Sequence, residues 1–377
     1  MRNYFGARGF YFAVCCSLLL FHFSSPLTGQ ESILSSYERN FIRASLAGKT
    51  GILYDAATDE KAGEFIGGLY DFALRFALTN GEYLNSDPDM ISLVAAAAKG
   101  AGNSGNRDSA PTLWKLFDLY IDSYSRVEIL GALAVLGEGN SDVITSLNSF
   151  LEIQNDSFQA GIPPDYPVLR ACIAALGLLK DNSSFPVLFT TMTAGYPQVI
   201  TQETLKALES IQGDYKDYLI GIILKNPFPE KAAAFRIGAY NERLSPDERA
   251  ELAQAALEVS LGSTGPADQV NAASLRYDAA TVLTRLQWSP AAPLAIRNFY
   301  RVQADFTNGA APRERFLEAI AFLAVMGNAE AARALALQLG FLNSQTEKSG
   351  EYDEAVVLAL INALGELGDK AAFDYLL

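Results

Sequence analysis

The last fourteen residues before the terminus, Ala363-Leu364-Gly365-Glu366-Leu367-Gly368-Asp369-Lys370-Ala371-Ala372-Phe373-Asp374-Tyr375-Leu376, constrain the fold more than any other stretch. They read as the end of one helix, a Gly-Asp corner and the start of a second helix. Weaker copies recur upstream. Ala134-Val135-Leu136-Gly137, Ala174-Ala175-Leu176-Gly177, Lys206-Ala207-Leu208, Thr281-Val282-Leu283 and Ala321-Phe322-Leu323 each precede a polar corner. The anchor leucines Leu136, Leu176, Leu208, Leu283, Leu323 and Leu364 are spaced 40, 32, 75, 40 and 41 residues apart. The 75-residue gap leaves room for one degenerate unit around Arg236 to Leu261. A period near forty with two helices per unit describes an all-α α-solenoid, in which antiparallel helix pairs stack because none covers its own apolar face.

The intervening segments agree. Ile33, Leu34, Tyr37, Phe41, Ile42 and Leu46 mark one helical face, and Phe65, Leu69, Phe72, Ala73 and Phe76 the next. No long run of alternating Val, Ile or Thr suggests a sheet. Asp87-Pro88-Asp89 and the capping box Ser245-Pro246-Asp247-Glu248 sign helix starts, and Ser289-Pro290 repeats the pattern. Gly137, Gly262, Gly327 and Gly368 sign helix ends. Asn103–Ser109, Gln159–Asp165, Thr264–Asp268 and Gln345–Gly350 read as loops between repeats. Residues 30–377 are expected to form one array of roughly eight or nine helix pairs.

The corner resembles the short HEAT repeats of the phycobilisome-lyase type, whose first helix ends Ala-Leu-Gly-x-Leu-Gly-Asp. Ala363, Leu364, Gly365, Leu367, Gly368 and Asp369 match it in full. Ala175, Leu176, Gly177, Leu179 and Asp181 match except that Lys180 stands for the second Gly. The layout also resembles exported bacterial HEAT-repeat proteins. What the resemblance implies is a HEAT-like superhelix used as a protein-interaction scaffold; it implies no activity.

Residues 1–29 read as a secretory signal. Arg2 and Arg8 precede an apolar run from Phe10 to Phe23 that is shorter than a spanning helix, and Ser24-Ser25-Pro26-Leu27-Thr28-Gly29 follows. Cleavage near Gly29 would leave a periplasmic or secreted chain with no integral membrane span. It would remove the sole histidine, His22, with Cys15 and Cys16, leaving Cys172 alone. The formal charge of −14 includes the two arginines, so the remainder carries −16. That balance disfavours nucleic acid and favours protein partners, basic ones included, or self-association.

Candidate chemistry is sparse. Gly100-Ala101-Gly102-Asn103-Ser104-Gly105 spells a dinucleotide motif without its preceding strand and reads as a loop. Gly48-Lys49-Thr50 has Arg43 where a phosphate loop needs Gly, so Lys49 reads as solvated. Asp55/Asp59/Glu60, Asp214/Asp217 and Glu351/Asp353/Glu354 lack calcium-loop spacing and read as helix-start charges. Cys172 reads as a buried inert thiol, and Asn155-Asp156-Ser157 and Asn182-Ser183-Ser184 are sequons. With no histidine left there is no histidine-based triad or metal site. No catalytic, cofactor or metal residue is assigned. The expectation is a non-catalytic scaffold; the alternative is a carbohydrate-active α/α-toroid enzyme using Asp and Glu carboxylates, although two tryptophans, Trp114 and Trp288, are few for sugar stacking. The truncated final helix makes Phe373, Tyr375, Leu376 and Leu377 a candidate interaction edge.

Overall fold

A computed structural model describes residues 28–263, 265–350, 352–368 and 370. Among them are eighteen α-helices and no strand. Ten belong to the first of two compact units, which divide at Ile211/Gln212. They are α1 Thr28–Arg43, α2 Leu46–Thr58, α3 Ile66–Leu84, α4 Pro88–Ser104, α5 Ala110–Leu119, α6 Ser123–Leu136, α7 Ser141–Gln159, α8 Tyr166–Leu179, α9 Phe185–Thr193 and α10 Gln198–Ser210. The even helices pack on one another in order and form one layer. The odd helices form the other, and each even helix also packs against the odd helix before it. The second unit repeats the scheme. Its odd layer is α11 Lys216–Lys225, α13 Pro246–Gly262, α15 Ala292–Thr307 and α17 Ala329–Ser349. Its even layer is α12 Phe228–Ala239, α14 Gln269–Leu286, α16 Arg313–Ala324 and α18 Glu354–Leu367. The chain is therefore an all-α solenoid of stacked helix pairs.

All six anchor leucines lie near the ends of even helices, each at most 1% exposed. The 75-residue gap is filled by α12 and α13, whose corner has no anchor leucine. There Gly238 lies under Leu252, and a Cβ at 238 would stand 2.4 Å from Leu252 Cδ1. The fourth residue after an anchor is left-handed in four corners: Lys180 (φ 56°), Gln287 (φ 50°), Gly327 (φ 66°) and Gly368 (φ 62°). This explains the glycine of the repeat, because only Gly adopts that conformation without a steric cost.

Small residues set the spacing within the even layer. A Cβ on Gly102 would meet Ala132 Cα at 3.0 Å, and one on Gly177 would meet Ala207 Cα at 3.1 Å. The motif Gly100 to Gly105 is thus not a loop. Gly100 and Gly102 lie inside α4, where Gly100 sits under the Tyr70 ring, and Gly105 is its left-handed cap. The glycines answer a packing demand that sequence periodicity does not display. Gln345–Gly350 is not a loop either, since α17 runs on to Ser349 before Gly350 turns left-handed. Ser289 begins a short 3₁₀ turn and caps nothing, whereas the Ser245–Glu248 capping box is fully formed.

Lys49 is also not solvated. It is 5% exposed, with Nζ donating to the carbonyls of Phe41 and Ile42 and standing 4.6 Å from the Phe41 ring centroid. The open carbonyls at the end of α1 demand a donor, and the next helix supplies it. The device recurs. Arg126 Nε on α6 donates to Tyr120 O at 2.8 Å just beyond α5, and Lys231 Nζ on α12 donates to Ile223 O at 2.6 Å in the last turn of α11. Each cation sits on the even helix after a short linker and answers the partial negative charge of the preceding helix end.

Candidate functional site

A groove of about 680 Å³ lies in the first unit. It lies over α6, α8 and α10, along the even layer. The reason it exists is the small-residue seam. Ala174 and Ala171 leave room on α8, Gly177 brings α8 against Ala207, and Val127, Pro167, Ile173 and Leu178 supply apolar walls. Leu178 is 64% exposed and Val135, one helix earlier, 54% exposed.

The polar rim is largely neutralised. Arg170 Nε donates to Glu203 Oε2 at 2.8 Å and Nη2 donates to Oε1 at 2.5 Å, a bidentate pair joining α8 to α10. The hydrogen bond from Arg170 holds the Glu203 carboxyl below its usual range, and Glu203 in turn raises the guanidinium. Ser210 Oγ donates to Gly177 O at 2.6 Å, which closes the α8–α10 seam. Lys206 completes the rim. Such a surface suits an apolar side chain flanked by polar groups, the anatomy of a protein-docking patch. The second unit has a smaller groove of about 310 Å³ lined by α14, α15 and α16, where the Arg315 guanidinium stands 4.5 Å from the Tyr277 ring centroid.

The residues singled out from sequence fall elsewhere. Phe373, Tyr375, Leu376 and Leu377 lie outside the described residues, as do residues 1–27 of the expected signal. Asp55, Asp59 and Glu60 are not at a helix start. Asp59 caps the end of α2 and accepts from Tyr37 Oη at 2.7 Å, which depresses its carboxyl. Asp217, Asp353 and Glu354 do sit at helix starts, Asp353 as the cap of α18. Trp114 stacks on Phe117 at 5.0 Å, and Trp288 Nε1 donates to Gln254 at 2.8 Å. Cys172 is fully buried, and burial pushes its thiol up. Among the described residues no helix is long and apolar enough to cross a membrane, and no three His, Cys, Asp or Glu side chains group as metal ligands.

The groove residues Arg170, Glu203 and Lys206 were not legible. The only sequence signal for the site is the run Ala174-Ala175-Leu176-Gly177, which marks close helix approach without telling which side stays open.

No family model matches the chain, and no curated protein matches it. Among solved structures it is similar at 15% identity to a chain of a homology model of the full-length AP-3 complex in an intermediate open conformation, with a TM-score of 0.35. The match covers 89% of this chain and 64% of that one, under two thirds of its length. It is also similar, at 15% identity and a TM-score of 0.20, to a circular tandem repeat protein with novel repeat topology and enhanced subunit contact surfaces, covering 92% and 77% of the two chains. At these scores neither likeness bears on fold or function. The class of the protein, a helical-repeat solenoid, rests on its own helix packing.

Proposed function

We propose that the chain is a non-catalytic protein-interaction scaffold of the bacterial cell envelope, exported by its N-terminal segment. The observation that carries this reading is the apolar groove over α6, α8 and α10, with a small-residue floor and a rim neutralised by the Arg170–Glu203 pair. The partner is a protein that inserts an apolar side chain there, and basic flanking residues would complement the net charge of −14. The HEAT resemblance of the corners favours the same use. The secretory character of residues 1–29 supports the address, which fractionation of cells producing the tagged full chain tests directly.

The docking test uses Ala174, which is exposed on the groove floor. Ala174→Arg fills the groove without entering the core. Envelope extract is passed over the wild-type chain and over the variant, with circular dichroism showing equal folding. A partner held by the wild type and released by the variant is the expected result. Equal retention by both would move the interface off this groove. A polysaccharide hydrolase activity abolished by one Asp or Glu substitution would overturn the scaffold reading in favour of a toroid enzyme.

A further inference from the structure

The corners where an odd helix of the first unit turns into the next even helix share a feature that core packing does not require. Each exposes large apolar side chains: Ile42 at the end of α1, Tyr83 at the end of α3, Ile121 and Tyr124 around the α5–α6 linker, Ile162 between α7 and α8, and Val199 at the start of α10. Tyr83 is 86% and Ile121 78% exposed. Single apolar residues scattered over a surface need no explanation. These are not scattered. Ile42, Tyr83, Ile121, Ile162 and Val199 stand 41, 38, 41 and 37 residues apart, the period of the repeat itself. Stacking of the repeats therefore sets them in a row along one edge. The second unit has the same habit at Leu224, Val270 and Tyr352, in three of its four such corners.

The corners of the first unit are tied to one another. Phe41 meets Phe76 edge-on at 5.5 Å, and Asn85 Nδ2 donates to Leu119 O at 3.5 Å. Ser123 Oγ donates to the Asp165 carboxylate, and Tyr196 Oη donates to Gln154 O at 3.1 Å. Neighbouring rungs of the row are thus one helix spacing apart, about 8–10 Å.

Charge accompanies the three central rungs. Asp87, Asp122 and Asp165 are the N-caps of α4, α6 and α8, and each stands within four residues of Tyr83, Ile121 or Ile162. Glu82 and Asp89 are exposed beside them. None of these five carboxylates forms an ion pair with a described cation. Arg126, four residues beyond Asp122, spends its Nε on the carbonyls of Phe117 and Tyr120.

Apolar rungs with an acid beside each fit a basic amphipathic helix. The spacing selects the helix. Seven residues of helix rise about 10.5 Å, so apolar side chains at every seventh position meet successive rungs. An extended segment covers that distance in about three residues, which turns successive side chains to opposite faces. The same acids repel a second copy of this edge and an anionic lipid surface.

We propose that the edge running from α3 to α8 binds a basic amphipathic helix of a partner protein, with its apolar side chains on Tyr83, Ile121 and Ile162 and its Lys or Arg side chains on Asp87, Asp122 and Asp165. This surface is separate from the groove over α6, α8 and α10 and does not depend on it.

The probe is a fluorescein-labelled three-heptad peptide with Leu at every seventh position, Lys flanking that face and Ala elsewhere. It is titrated with the full chain at low salt and followed by fluorescence anisotropy. Saturable binding is expected. The variant Tyr83→Ser/Ile121→Ser/Ile162→Ser should weaken it at least about tenfold. So should Asp87→Asn/Asp122→Asn/Asp165→Asn, in which Asn keeps the helix caps. A peptide of the same composition with its leucines scrambled should also bind at least about tenfold more weakly. Tyr54→Ser/Ile153→Ser, which removes exposed apolar residues elsewhere in the unit, and Ala174→Arg in the groove should leave binding unchanged. Circular dichroism checks that each variant is folded. The proposal is overturned by an absence of saturable binding, by equal binding of the scrambled peptide, or by equal weakening in the Tyr54/Ile153 or Ala174 variants. Adsorption to phosphatidylglycerol vesicles, or dimerisation of the full chain, that is lost in the Tyr83/Ile121/Ile162 variant would overturn it too, by assigning the edge to lipid or to a second copy.

Discussion

Lys180 and Gln287 are the only non-glycine described residues with positive φ, and both stand four residues after an anchor leucine. A side chain held in the left-handed region costs about 1–2 kcal/mol relative to a residue that adopts it freely. The corner glycine of the repeat avoids that cost at Gly327 and Gly368. Lys180→Gly and Gln287→Gly should therefore each raise stability by about 0.5–1 kcal/mol, after the larger unfolded-state entropy of Gly is subtracted. Both positions are exposed, so no core contact is lost. Urea denaturation of the single and double variants checks this. The two gains should add, because the sites are in different units and share no partner. A drop in stability in either variant would mean that the side chain does work in its corner that outweighs its backbone strain. The Lys180 departure was visible in the sequence as a mismatch to the corner pattern. That the mismatch carries a backbone cost needed the φ angle.

The helices show why some signals in the chain are readable and others are not. Apolar periodicity and the six leucines located the even helices, because burial of one face is a property each helix carries in its own sequence. The gap between Leu208 and Leu283 pointed to a degenerate unit, and α12 with α13 fills it. What failed was everything decided by a neighbour. Gly100 reads as a loop residue until the Tyr70 ring is laid over it, and Lys49 reads as solvated until the open end of α1 is placed beside it. The groove over α6, α8 and α10 is not legible for the same reason, since Arg170 and Glu203 meet only when α8 lies against α10. The serines make the point testable. Ser245-Pro246 and Ser289-Pro290 look alike, yet Glu248 N donates to Ser245 Oγ at 3.2 Å and Ser245 N donates to Glu248 Oε2 at 2.7 Å, while Ser289 caps nothing. Ser245→Ala should cost about 1 kcal/mol and Ser289→Ala close to nothing. Thermal unfolding of the two variants distinguishes them; equal losses would contradict the capping assignment.

Across the whole chain the titration of buried phenols sets an alkaline limit on stability. Burial pushes the Tyr120 phenol, whose Oη donates to Ala77 O at 3.3 Å, from 10.0 up to about 12, and it does the same at Tyr196. Tyr70 and Tyr215 are raised too, again chiefly by burial, so both units contribute. For a group whose folded value lies above the unfolded one, the native state holds the proton longer. Its contribution is complete below pH 10 and is lost as the pH rises through the folded value. For Tyr120 alone this is about 3 kcal/mol. Two buried ammonium groups act in the other direction. Lys49 and Lys231 are lowered from 10.5 by burial, so in the interval just below 10.5 the unfolded chain binds more protons and stability climbs with pH. The phenols outnumber the lysines and titrate higher. The urea midpoint should therefore rise slightly toward pH 10 and then fall steadily to pH 12, with tyrosinate absorbance appearing as the structure is lost. Tyr120→Phe should make the fall shallower. A midpoint that stays level between pH 10 and 12 would show that these phenols ionise as readily in the folded chain as in the unfolded one, which their burial beneath the helix layers does not permit.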